Sequence, residues 1–162
     1  MFIFRAYYKL EMQSENTLTT LTIIHSSLVM GLFVFCGFAY WQKQSFNTAI
    51  DSADFFIYIV PLAAAIGYFA SKFIFQNLIR NIDRNDGLEN KLSRYQVACL
   101  IKYALIEATA CLALVAYYLN GNALHLVVGL CLIAYLISQR PTQKRVQNDI
   151  KFTRDEQQQL DS

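Results

Sequence analysis

Four long apolar runs separated by short polar stretches organise this chain. The first covers residues 18–40 and is closed by Trp41, an aromatic of the kind that marks a membrane–water boundary. The second covers 55–75 and is interrupted by Pro61 and Lys72. The third, 97–119, carries Lys102 and Glu107. The fourth, 123–137, is short unless Asn122 and Ser138 serve as its ends. A helix rises about 1.5 Å per residue, so crossing ~30 Å of hydrocarbon takes about 20 residues. The runs are continuous rather than alternating, which argues against the strands of a membrane β-barrel. The pattern predicts an all-α fold, an integral membrane four-helix bundle with helices at 18–40, 55–84, 88–119 and 122–138.

Beyond the apolar runs, Leu78, Ile79 and Ile82, then Leu88, Leu92 and Tyr95, keep a helical spacing through polar sequence. Helices 2 and 3 should therefore extend past the bilayer into a hairpin. Its tip falls at Asn85-Asp86-Gly87, where Asn and Gly tolerate a left-handed backbone. Pro61 leaves the Ile57 carbonyl without its helical donor and should bend helix 2. Pro141 should stop or redirect the chain after helix 4. Thr153 followed by Glu156 has the spacing of a capping box, so a short surface helix is expected at 154–160. The resulting organisation is an N-terminal segment 1–17, a transmembrane domain 18–138 and a C-terminal tail 139–162. The first run is longer than a signal-peptide core, and no small-x-small site closes it, so it reads as a retained anchor. Met12 is a second candidate start, which would make Met1–Glu11 dispensable.

Charge orients these segments. Lys and Arg gather before helix 1 (Arg5, Lys9), between helices 2 and 3 (Lys72, Arg80, Arg84, Lys91, Arg94) and after helix 4 (Arg140, Lys144, Arg145, Lys151, Arg154). The 1–2 loop has Lys43 alone, and the turn Asn120-Gly121-Asn122 has none. Basic residues stay on the cytoplasmic side of multi-pass proteins, so both termini and the hairpin are expected there, most simply at a bacterial inner membrane.

Composition agrees: 55% of the 162 residues are hydrophobic and 16% are charged, where soluble domains average about 45–50% and 25%. A net charge of +2, spread along the chain, gives no argument for nucleic acid. Cys36, Cys99, Cys111 and Cys131 each lie inside an apolar run and read as small packing residues rather than a disulfide or zinc framework. No nucleophile–base set, phosphate loop or metal-ligand cluster appears, so neither an enzyme nor a cofactor is expected.

Glu107 is the sharpest feature. It lies about 15 Å into helix 3 from the cytoplasmic end, near mid-bilayer. A carboxylate there costs several kcal/mol unless paired, hydrated or protonated. It is read either as a proton or cation site or as an inter-helix hydrogen bond that fixes the packing. Tyr103 and Cys111 share its face at i−4 and i+4, and His25 and Tyr68 sit at comparable depth in helices 1 and 2. Hydrogen bonding of Glu107 by His25 or Tyr68 is the expected pairing. Lys102, about 140° around the helix, should reach toward the interface instead. His125 is placed at the outer boundary. Ala63, Gly67 and Ser71 in helix 2, with Ala104 and Ala108 in helix 3, form small-residue rows of the kind that let helix backbones approach in lipid.

Residues 60–119 also resemble a known hairpin. Pro61-Leu-Ala-Ala-Ala-Ile-Gly67, a polar loop with Arg84-Asn-Asp86, Lys91-Leu-Ser-Arg94 and Ala104-Leu-Ile-Glu-Ala108 look like the helical hairpin of rotary ATP synthase c subunits. The resemblance implies a cytoplasmic loop, in agreement with the charge pattern, and makes Glu107 the proton- or sodium-carrying carboxylate. The family's dense glycine repeat is reduced here to Ala63, Gly67 and Ser71, and Tyr68, Phe69 and Phe73 interrupt that face. Lys102 stands near the site, and helices 1 and 4 lie outside the match.

Two functions follow as expectations. One is a non-enzymatic structural or accessory subunit of a membrane assembly, with the bilayer and other membrane subunits or further copies of itself as partners. The other is a proton- or cation-translocating element built on Glu107. A complete secondary transporter is a weaker third, since four short helices lack internal repeats and broken half-helices.

Overall fold

The structure, a computed structural model, describes residues 2–44, 46–48, 54–83 and 86–150, with side chains described from residue 17 onward except at 88 and 143. Among these residues there are five helices: α1 (Phe2–Lys43), α2 (Phe56–Arg80), α3 (Leu88–Asn120), α4 (Ala123–Ser138) and α5 (Gln143–Asp149). Among the described residues there is no strand, only an isolated bridge between Asn47 and Asn122.

α1 runs unbroken from Phe2, well before the expected start at 18. Neither Gly nor Pro occurs before Gly31, so nothing local interrupts it. α2 stops at Arg80 instead of 84, and Asn81 caps it with its N–H on the Ile79 carbonyl. Pro61 is accommodated inside α2. The break before α3 falls where expected, but Gly87 is extended there at φ −63°. The left-handed glycine is Gly121, at φ 69°, where its N–H closes α3 on the Tyr117 carbonyl. Asn122 then starts α4, its side chain accepting from the Leu124 N–H at 3.0 Å.

α3 is the central element and packs against α1, α2 and α4. Tyr103, Ile106, Ala110, Ala113, Leu114 and Tyr117 recur every three or four residues and are buried at 2% exposure or less. The outer surface is apolar too: Val34, Ile66, Phe73 and Val127 are 53–72% exposed. Residues Thr17–Lys43, Phe56–Arg80 and Glu89–Asn120 make three helices long and apolar enough to cross a membrane, while α4, at 16 residues, is shorter.

α5 is a departure: no helix was expected between Pro141 and residue 154. Pro141, itself buried, turns the chain after α4, and α5 folds back onto the end of the bundle. Val146 (1% exposed) and Ile150 (4%) join the same core as Leu92, Tyr95 and Leu136. Val146 and Ile150 thereby pack α5 and its end against the bundle. The helix expected at 154–160 lies outside the described residues, as does Asn85, the first residue of the expected hairpin tip.

Candidate functional site

Glu107 sits on the rim of the bundle. Close by on the same helix, Ala104 and Ala108 lie on the exposed face of α3, whereas Tyr103, Ile106 and Ala110 point into the core. The carboxylate is half-buried beside half-buried Cys111, and no other described residue reaches it with a hydrogen bond or an ion pair. A carboxyl so placed can take a proton, hold a cation, or accept hydrogen bonds from a helix outside this chain.

The expected partners are committed elsewhere. His25, 4% exposed, sets Nε2 at 2.8 Å from the Leu136 carbonyl of α4. Its ring meets Tyr103 edge-on at 5.0 Å. Tyr103 turns inward and donates its hydroxyl to the Gln139 carbonyl at 3.1 Å. Tyr68 packs edge-on against Tyr135 at 5.0 Å. His25 and Tyr68 thus meet the last turns of α4 rather than Glu107: His25 at a carbonyl that lacks an intrahelical donor, Tyr68 through its ring. Lys102 is held as well: Nζ donates to the Gln139 side chain at 2.7 Å and stands 4.4 Å over the Phe75 ring.

The small-residue rows part ways. Gly67 and Ser71 are buried, and an added β-carbon at Gly67 would strike the Thr109 methyl of α3. Ala63 is half-buried, but Ala104 and Ala108 face outward beside Glu107 and are exposed. The four cysteines are free, with Cys99 buried and Cys131 on the outside of α4.

A second polar cluster closes the opposite end of the bundle. His125 is fully buried within the protein, with Nε2 at 3.5 Å from Asp54 Oδ2. Neither ring nitrogen has a hydrogen bond among the described residues. Asp54 Oδ1 accepts from the Phe56 N–H at 3.0 Å and from the Asn120 amide at 2.8 Å. The Phe56 ring stands edge-on to the imidazole at 6.4 Å. Asn47 exchanges backbone hydrogen bonds with Gly121 and Ala123, and Lys43 Nζ donates to the Leu119 carbonyl. The first loop is so laced to the α3–α4 turn. The available signal was positional: an Asp just before one apolar run and a His in the first turn of another occupy one level when the intervening helices are antiparallel.

Among the described residues no group of three or more His, Cys, Asp or Glu side chains converges as a metal site. No protein-family model, curated protein or solved structure matches the chain.

Proposed function

We propose that this chain is a multi-pass protein of a cytoplasmic membrane, crossing it four times with both termini inside, and that it serves as a non-catalytic accessory subunit meeting a neighbouring helix along the Glu107 edge. The observation that carries this is Glu107 itself. A mid-depth carboxylate without a donor among the described residues is costly in hydrocarbon. The small residues flanking it on the exposed face leave room for another backbone to approach. A helix bringing a donor there satisfies both features at once. The membrane setting is supported by the distribution of chemistry: aromatic and branched side chains outward, tyrosine, histidine and lysine contacts inward at both ends. The orientation is supported by the accumulation of Lys and Arg on one side.

The same position favours one alternative, a proton- or cation-carrying element resembling a c subunit, in which Glu107 is loaded directly from its surroundings. Carbodiimide labelling read by mass spectrometry separates the two, with Glu107→Gln as control. An accessory subunit is expected to resist labelling in native membranes and to react once purified away from its neighbours. Labelling in both states that fades as pH rises transfers the function to the ion site. Resistance in both states overturns both readings.

A further inference from the structure

A group of cations from three different helices gathers where α4 ends. Lys102 of α3 is fastened to Gln139, the residue capping α4, and covered on one side by Phe75. Lys72, one turn before Phe75 on α2, stands 5.6 Å over Tyr68, whose ring rests on Tyr135 of α4. Arg145 of α5 donates to the Ser138 carbonyl at 3.1 Å and stands 3.5 Å from that of Arg140. All three therefore border residues 135–140, and Lys102 feels the charges of Arg145, of the Asp149 carboxylate and of Lys72. Like charges brought together this way repel unless an anion lies among them. None of the three is ion-paired with a carboxylate among the described residues. Asp149, the acid of α5, is turned to the Tyr95 hydroxyl at 3.2 Å.

We infer that Lys72, Lys102 and Arg145 bind the phosphate of an anionic phospholipid headgroup. The inference rests on the membrane reading above, because it needs α2 and α3 to stand in lipid with this end at the cytoplasmic leaflet. Charge complementarity selects the headgroup: three cations against the single carboxylate of Asp149 leave the group net positive, at the side where anionic lipid and basic residues meet. The neighbouring surface selects a lipid over a free anion. Phe69 and Phe73, on the same stretch of α2 as Lys72, are 68% and 72% exposed and offer acyl chains an apolar surface beside it. Lys72 is exposed, and Lys102 and Arg145 are half-buried rather than enclosed in the core. Gln139 and Phe75 preset Lys102, and Tyr68 presets Lys72, which lowers the ordering cost of binding.

The test is native mass spectrometry of the purified full chain in mild detergent, titrated with phosphatidylglycerol, phosphatidylcholine or inorganic phosphate. A discrete phosphatidylglycerol adduct is expected, with phosphatidylcholine bound more weakly and inorganic phosphate unable to displace the lipid. Lys72→Gln and Arg145→Gln should each weaken the adduct about fivefold, the effect of one interfacial cation. Lys72→Arg should keep it, and so should Lys144→Gln, an exposed cation of α5 outside the group. Equal losses in Lys144→Gln and Lys72→Gln would reduce the preference to bulk charge and overturn the site. Displacement by inorganic phosphate would overturn the lipid as its occupant. Alkaline carbonate extraction separates failure of the setting from failure of the site. Release of the chain into the soluble fraction sinks the membrane reading itself, while retention without a phosphatidylglycerol preference sinks this inference alone.

Discussion

At Gly67 the α2 backbone lies against α3 so closely that even a methyl group meets the Thr109 side chain. Overpacking of this kind costs about 1–3 kcal/mol. Gly67→Ala is expected to lower stability by that amount in detergent unfolding followed by circular dichroism. Adding Thr109→Ser, which removes the obstructing methyl, should restore most of it. Equal losses in both backgrounds would mean that this contact does not set the distance between α2 and α3. Gly67 was legible beforehand, since a small residue in an apolar run signals close approach. Glu107 was legible only as an anomaly. Its depth follows from counting residues, but its lack of a partner depends on where His25 and Tyr68 turn, and both turn to α4.

Elements are held together chiefly at their ends. Asp54 caps the start of α2, accepts from Asn120 and stands beside His125, so one side chain ties three segments. Removing a partly buried acceptor with several donors costs about 1 kcal/mol. Asp54→Ala should show that loss in the same unfolding assay. Asp54→Asn, which keeps the acceptor oxygen, should lose less; the opposite order would show that the cap is not what Asp54 contributes. At the other end, α5 is pinned by Val146 and Ile150. A charge buried at Val146 costs about 3 kcal/mol or more. Val146→Asp is expected to free α5 and speed tryptic cleavage at Lys144 and Arg145, with exposed Asn148→Asp as an unchanged control. Unaltered cleavage would mean that α5 is held by something other than this contact. The tail helix escaped sequence reading because its seven residues are polar apart from Val146. A stretch that short takes its helicity from the surface it docks on.

For the whole molecule, the proposed orientation has a direct check. In a cysteine-free background, an impermeant maleimide applied to intact spheroplasts should label Thr48→Cys and leave Asn90→Cys untouched until the membrane is opened. Both positions are exposed, one in the first loop and one at the start of α3. The reverse pattern would turn the protein over and move the basic group to the other leaflet. Labelling of both in intact spheroplasts would refute a membrane crossing between them.

Element type and approximate position were already decided by the chain itself. Apolar runs of helical length with few breakers form helices wherever they are sheltered, and that information is local. Turn chemistry at Asn120-Gly121-Asn122 and the absence of Gly or Pro in residues 2–30 belong with it. Tertiary structure decided which side chains meet: His25 with the Leu136 carbonyl, Lys102 with Gln139, Asp54 with His125, and, among the described residues, nothing with Glu107. The physical reason lies in the helices. One that is apolar on every face gives no hydrophobic stripe from which to read its rotation about its own axis. That rotation is settled by close packing, at Gly67 on Thr109 and at Gly129 on Leu114. Only once it is settled do the few polar groups acquire partners, or, like Glu107, face outward without one.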